Sequence, residues 1–282
     1  MLNKNHILIV GLGLIGGSYA QALKRKGYSV GAVTRSPETI EYALQQGLID
    51  AGTTEPSASF ISSYDLIVFA LYPHILLQWL TDFQQYIKPG ALLTDVTGVK
   101  GAVVYKVQSI LRPDLEFVGA HPMAGRELYG VRNADCSIFR GANYIVTPTQ
   151  ANTEEAISTV EQLGEELGFT RVSRLSPEKH DEMIGFLSQL THCIAVALMT
   201  CKDVEHLSAY TGDSFRDLTR IARINDEMWS ELFLLNRSEL LTQIDLFTAR
   251  MEDLREAIKC GDTEALREMM KLSTIRRSSF DK

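Results

Sequence analysis

The chain is short of positive charge. Its 28 lysines and arginines face 35 aspartates and glutamates, a formal net charge of −7. That balance argues against a general nucleic-acid binder, which presents a basic surface to phosphates. An anionic ligand therefore needs a local cluster of cations. No uninterrupted apolar run reaches the ~18 residues of a membrane span, so no membrane association is expected. Strand-like residues begin at once after the N-terminus, which speaks against a signal peptide and for the cytoplasm. Cysteine is scarce: Cys136, Cys193, Cys201 and Cys260 show neither CxxC nor metal-ligand spacing. Reduced, buried thiols and no metal site are the expectation. No internal repeat or low-complexity tract is visible.

What is present is an ordinary globular composition, 45% hydrophobic and 22% charged over 282 residues, enough for two domains and a large core. Up to about residue 175 short apolar runs alternate with helical patterns. Strands are expected at 7–10, 29–33, 66–70, 91–96, 116–120, 144–147 and 170–174. The first four are continuously apolar, as suits strands buried on both faces of a mostly parallel sheet. Helices are expected at 17–26 and 37–46, with Gly27 and Gly47 as C-terminal caps. Another begins near Asn152 with the stripe Ile157, Val160, Leu163 and Leu167.

After Leu175 strand signals stop. A long helix starts at Ser176-Pro177-Glu178 and runs towards Cys201; its second half is apolar nearly all round, which predicts burial on every side. Leu240, Ile244, Phe247, Met251, Leu254 and Ile258 follow 4-3-4-3-4 spacing, a seam for another helix. That seam fits packing within the chain or a shared dimer core. Gly261 should end this helix, and a last one should cover 263–272. The expected organisation is a dinucleotide-binding α/β domain at 1–175 and an all-α domain at 176–282.

Gly11-Leu12-Gly13-Leu14-Ile15-Gly16 follows the first strand and opens a helix. The first glycine makes the tight turn, the second admits a pyrophosphate to the backbone, and the third lets helix and strand pack closely. The helix start at Leu14 and Ile15 then offers N–H donors and partial positive charge to the phosphates. The second strand should end on an acid that holds the adenosine ribose, about twenty residues past the loop. Thr34-Arg35-Ser36 stands there instead. A cation and two hydroxyls favour NADP over NAD; a surface arginine in a loop is the alternative.

Three further stretches carry chemistry. Asp95-Val96-Thr97-Gly98 ends a strand on the edge where open α/β sheets bind ligands. His121, fixed by Pro122 and followed by Ala124-Gly125, stands at the carboxyl end of another strand, where a histidine can act as acid or base near neutral pH. Arg216, Arg220 and Arg223 fall at i, i+4 and i+7, one face of a helix, and guanidinium groups bind carboxylates bidentately. Ion pairing with Asp213, Asp217 or Asp226 accounts for the same spacing.

GLGLIGGS, TDVTGVK, VGAHPMAG, SPEKHDEMIGFLSQLTH and FRDLTRIA, in that order, resemble the prephenate dehydrogenase family, including relatives that use arogenate. The resemblance covers almost the whole chain. It implies a Rossmann-like dinucleotide-binding domain, an all-α C-terminal domain that binds substrate and builds a homodimer, and oxidative decarboxylation of prephenate with hydride passing to NAD(P). It implies that His121 takes the proton of the ring hydroxyl and that Arg220 holds a substrate carboxylate. Ser188, His192 and His180 are implied to line the substrate pocket. The family often has a serine where Gly98 stands, so Thr97 is the expected source of that hydroxyl. Arg126 replaces a small or hydroxylated residue and adds a cation beside the pocket. Since the chain stops at Lys282 without a regulatory domain, any inhibition by tyrosine is expected at the active site. Two other readings remain open: a hydroxy-acid dehydrogenase of the same plan, and a regulator that binds NADP without turnover.

Overall fold

The computed structural model describes residues 2, 4–126, 128–203 and 205–281. Eight strands form one sheet in the order β3-β2-β1-β4-β5-β6-β7-β8. They are β1 His6–Val10, β2 Ser29–Val33, β3 Ala51–Thr53, β4 Leu66–Phe69, β5 Leu92–Asp95, β6 Glu116–Met123, β7 Asn143–Thr147 and β8 Arg171–Arg174. β1 pairs in parallel with β2 on one side (Ile7 with Val30) and with β4 on the other (Leu8 with Ile67). The order therefore reverses at β1, and the crevice at such a reversal is where open α/β sheets bind ligands. β7 is antiparallel to β6, pairing His121 with Ile145.

The strand residues alternate between two cores, as a period of two requires. Ile7 and Ile9 pack with α1 (Leu14–Arg25) through Tyr19 and Leu23, and with α6 (Glu154–Leu167) through Val160 and Leu163. Leu8 and Val10 pack on the opposite face with α4 (Pro73–Phe83) and α5 (Gly101–Ile110), through Leu80, Val104 and Val107. α2 (Pro37–Gln45) starts on Ser36, whose Oγ accepts from Thr39 N at 3.1 Å. β3, the short α3 (Ala58–Ile61), α4 and α5 lack clear sequence signals. β3 is three half-buried residues, too few for a period, and α4 and α5 carry apolar residues that blur a stripe.

After β8, α7 (Pro177–Ile184) continues through a π turn at Gly185–Gln189 into α8 (Leu190–Thr200). α9 (Asp213–Thr219) and α10 (Asp226–Leu235) follow. The chain divides into two compact units, Met1–Asn236 and Arg237–Lys282. α7 to α10 thus belong with the sheet, well past the point where strands give way to helices. The second unit consists of α11 (Arg237–Cys260) and α12 (Thr263–Arg277), joined through Gly261 at φ +68°. α12 outruns its expected end at 272.

Two burial expectations are corrected. The helical run Pro177–Thr200 is long and apolar enough to cross a membrane by length and composition, yet only 28% of its most apolar window is buried. Burial on every side is not achieved within one chain. The cysteines are not buried either: Cys136 and Cys193 are half-buried, Cys201 and Cys260 exposed.

Candidate functional site

The glycine loop turns at Gly11, where φ is +97° and a Cβ would collide with the Ala70 carbonyl. A Cβ on Gly16 would collide with the Gly11 carbonyl, so loop and helix start pack backbone to backbone. At Gly13 a Cβ would meet nothing within 4 Å. α1 begins beyond it with no side-chain cap and no acidic residue in its first turn. The uncapped N–H groups and the open face at Gly13 fit the pyrophosphate of a dinucleotide. At the end of β2, Arg35 is exposed and has no hydrogen-bond or ion-pair partner among the described residues. Ser36 is the cap of α2 and also donates to Glu38 Oε2 at 2.7 Å, so its hydroxyl is already engaged. Thr34 N donates to Thr53 O across to β3.

β5 stops pairing with β6 at Thr94 and Val118. β6 runs on to Met123, so its last residues are flanked only by β7 and face a cavity of about 670 Å³. Here His121 lies within the strand, not in a loop. Gly13 to Gly16, Thr97, Gly98, His121, Ser188, His192 and Trp229 all line this cavity. α10 is held over the crevice by His74 at the start of α4: His74 N and Nδ1 each lie 2.8 Å from the Glu231 carboxylate.

Beneath His121 lies a buried charged cluster. Lys100 and Asp95 are fully buried and paired at 2.6 Å. Asp95 also accepts from Ala120 N at 3.0 Å, tying β5 to the residue before His121. The Thr97 hydroxyl bonds Asp95 and Val99 O and receives Lys100 Nζ at 3.1 Å. Thr97 lines the cavity, but its hydroxyl is engaged from within by the buried lysine and carboxylate, where the sequence led one to expect it to stand in for a serine at 98. A Cβ on Gly98 itself would lie 3.9 Å from His121 Cε1.

His180 is a second correction. It is fully buried and lines no part of the cavity, standing behind His121. His121 Nδ1 and His180 Nε2 are 2.8 Å apart, and His180 Nδ1 lies 2.7 Å from Asp181 Oδ1. Asp181 in turn accepts from the backbone N–H groups of Lys100 and Gly101, both at 2.8 Å. His121 Nε2 has no partner among the described residues. Burial above all, then the neighbouring His180 and Lys100, holds His121 well below the ordinary histidine pKa. Burial lowers His180 too, against the opposing pull of Asp181. Asp181 had a signal in sequence only as the residue next to His180.

The π turn explains how one helical run serves two purposes. His180 and His192 are twelve residues apart, about 120° around an uninterrupted α-helix. The extra residue of a π turn reduces that to about 20°. Both histidines then face the same side. His192 Nδ1 lies 2.9 Å from Ser188 O, and the ring stacks on Trp229 at 3.7 Å and 28°. Asn236 Nδ2 secures the turn by donating to Asp181 O at 2.9 Å and Gln189 Oε1 at 2.7 Å.

The expected arginine face does not form. α9 stops at Thr219, and Arg220 to Ala222 tighten into a 3₁₀ turn, which breaks the i, i+4, i+7 register. Arg216 pairs with Asp213 at 3.4 Å. Arg220 is exposed and off the cavity wall, whereas Arg223 lines it and has no hydrogen-bond or ion-pair partner among the described residues. Arg126 also lines the cavity and is 3.4 Å from Asp135.

Comparison with known proteins places this geometry. A family described as the nucleotide-binding domain of prephenate dehydrogenase matches residues 19–172, and one described as its dimerization domain matches 176–272. A prephenate dehydrogenase of Bacillus subtilis is 32% identical over 93% of this chain and 72% of its own length. A cyclohexadienyl dehydrogenase of Zymomonas mobilis is 30% identical over 96% of this chain and 94% of its own. The crystal structure of prephenate dehydrogenase from A. aeolicus, in complex with hydroxyphenyl propionate and NAD+, superposes with a TM-score of 0.90 at 32% identity, covering 99% of each chain.

Proposed function

The chain belongs to the prephenate dehydrogenase family, and on that premise we propose that it converts prephenate to 4-hydroxyphenylpyruvate and carbon dioxide, with NADP favoured over NAD as hydride acceptor. The observation that carries this reading is His121, whose unpaired Nε2 faces a cavity bounded by the dinucleotide loop. A bound nicotinamide would accept the hydride. His121 Nε2 takes the proton from the ring hydroxyl, and the electron pair left on that oxygen assists departure of hydride from the same carbon. Loss of carbon dioxide then makes the ring aromatic and supplies most of the driving force. The protein's work is orientation and one proton transfer. A ligand carrying a hydroxyphenyl ring and a carboxylate in the A. aeolicus relative supports the substrate class.

Prephenate carries two carboxylates, and Arg223 and Arg126 are the cations on the cavity wall suited to them. Arg220, outside that wall, is assigned to the surrounding framework. Ser188, His192 and Trp229 shape the ring pocket. The glycine loop holds the pyrophosphate, while Arg35 holds the 2′-phosphate of NADP. Residues 176–282 serve as the substrate-binding and dimerisation portion, and the assembly is a homodimer in the cytoplasm. The half-exposed apolar surface of α8 supports a second copy.

Reduced nucleotide formation, measured with prephenate and with arogenate and each nucleotide, tests the proposal. Prephenate with NADP should be turned over most efficiently. Tight cofactor binding without reduction by either substrate would return the chain to a regulatory role.

A further inference from the structure

We propose that His180 and Asp181 are positioning residues that lock His121 in the Nδ1–H tautomer, leaving Nε2 as a proton acceptor facing the cavity. The inference rests on the reading of His121 as the base. It follows from counting protons along two linked hydrogen bonds, Asp181 to His180 and His180 to His121.

An ionised carboxylate only accepts hydrogen bonds. Asp181 already accepts two backbone N–H groups at the start of α5, so the 2.7 Å contact with His180 requires the proton on His180 Nδ1. Neutral His180 then has a bare lone pair on Nε2. The 2.8 Å contact from there to His121 therefore requires the proton on His121 Nδ1. The remaining lone pair, on Nε2, is the one directed at substrate. Neutral histidine in water favours the opposite form, with the proton on Nε2, which would offer the ring hydroxyl a donor where the reaction needs an acceptor.

Charge points the same way. The titratable groups around His121 are His180 and Asp181 from α7, Lys100 from the start of α5 and Asp95 from β5. Lys100 and Asp95 cancel. Asp181 leaves one buried negative charge, held by the N–H groups at the N-terminus of α5. When His121 takes the substrate's proton on Nε2, its Nδ1–H keeps donating to His180, and the cluster becomes neutral overall. The new cation is matched without any group having to move.

The tautomer is measurable directly by ¹⁵N NMR of histidine-labelled protein, since protonated and bare ring nitrogens resonate far apart. In the substrate-free wild type above the histidine pKa, His121 should show a protonated Nδ1 and a bare Nε2. His180→Phe keeps the ring's bulk but removes the acceptor; it should release His121 to the Nε2–H form and lower kcat by about a hundredfold, with little change in KM. In His180→Gln the amide oxygen can accept from Nδ1–H, so tautomer and most of the turnover should return. A resting His121 with its proton on Nε2 overturns the proposal, as does equal loss in both variants with the tautomer unchanged. The wild-type spectrum needs no variant and no substrate, so it decides the matter even where His180→Phe does not fold. Failure of the underlying reading shows separately, as normal turnover of His121→Asn.

Discussion

His121 and its neighbours set the demands on single residues. A base held below the usual histidine pKa by burial is neutral, and so competent, through the physiological range. Turnover should fall only as pH drops below about 6.5, the unperturbed value, and that acidic limb should vanish in His121→Asn. The same variant should fold, bind NADP normally and lose about 10²–10⁴ in kcat; a near-normal rate would remove the assignment. Arg35 makes a narrower claim. Arg35→Ala should weaken use of NADP by about 1.5–3 kcal/mol, the worth of a charged hydrogen bond, and leave NAD nearly untouched. Wild-type efficiency with NAD equal to that with NADP would end that argument. Of the two arginines near the mouth, Arg223→Ala should raise the substrate KM more than Arg220→Ala, because only Arg223 lines the cavity. The reverse order would restore Arg220 as the carboxylate anchor. The glycine loop, His121 and the arginine-rich stretch were all legible in sequence. Their orientations were not: Thr97 and Lys100 read as one motif, yet both turn into the core to meet Asp95.

At the scale of elements, apolar residues left exposed carry the argument. On α11, Phe247 is 36% and Met251 50% exposed, while Leu240, one end of the same seam, is buried. A sequence period identifies such a stripe but not the partner that covers it. A second copy of the chain covers it under the proposed assembly, so Phe247→Asp with Met251→Asp should yield monomers or insoluble protein in analytical ultracentrifugation. A wild type that sediments as a monomer at micromolar concentration would count against the dimer. The run from α7 to α8 shows a different limit. Its cap at Ser176, with Pro177 behind it, was readable. The π turn was not, because its stabilising bonds come from Asn236, far along the chain.

For the whole molecule, the paired histidines His121 and His180 couple stability to pH. Their folded-state pKa values lie below that of the unfolded chain. Above that unfolded value neither state binds the proton and nothing is lost. As pH falls below about 6.5 the unfolded chain takes up protons that the native state refuses, and stability drops by up to about 1.4 kcal/mol per pH unit for each histidine. The melting temperature should therefore decline between pH 7 and 5, and His121→Asn should flatten that decline. An unchanged slope in the variant would mean that His121 is not the group responsible.

Local chemistry was decided by the sequence itself. The continuous apolar runs of β1, β2, β4 and β5, the GxGxxG turn and the helix starts near Asn152 and at Ser176 follow from residue size, φ preference and short-range hydrogen bonding, and each appears where expected. Tertiary structure alone decided which atoms face the cavity. His180 stands behind His121 instead of on the pocket wall, and of the two arginines Arg223 lines the cavity while Arg220 does not. The strand β6 gained an open flank because β5 ends early. The physical reason is that a side chain's direction depends on partners distant in sequence. Asp181 reaches the start of α5 and Asn236 reaches the π turn, and no periodicity within either segment encodes those meetings.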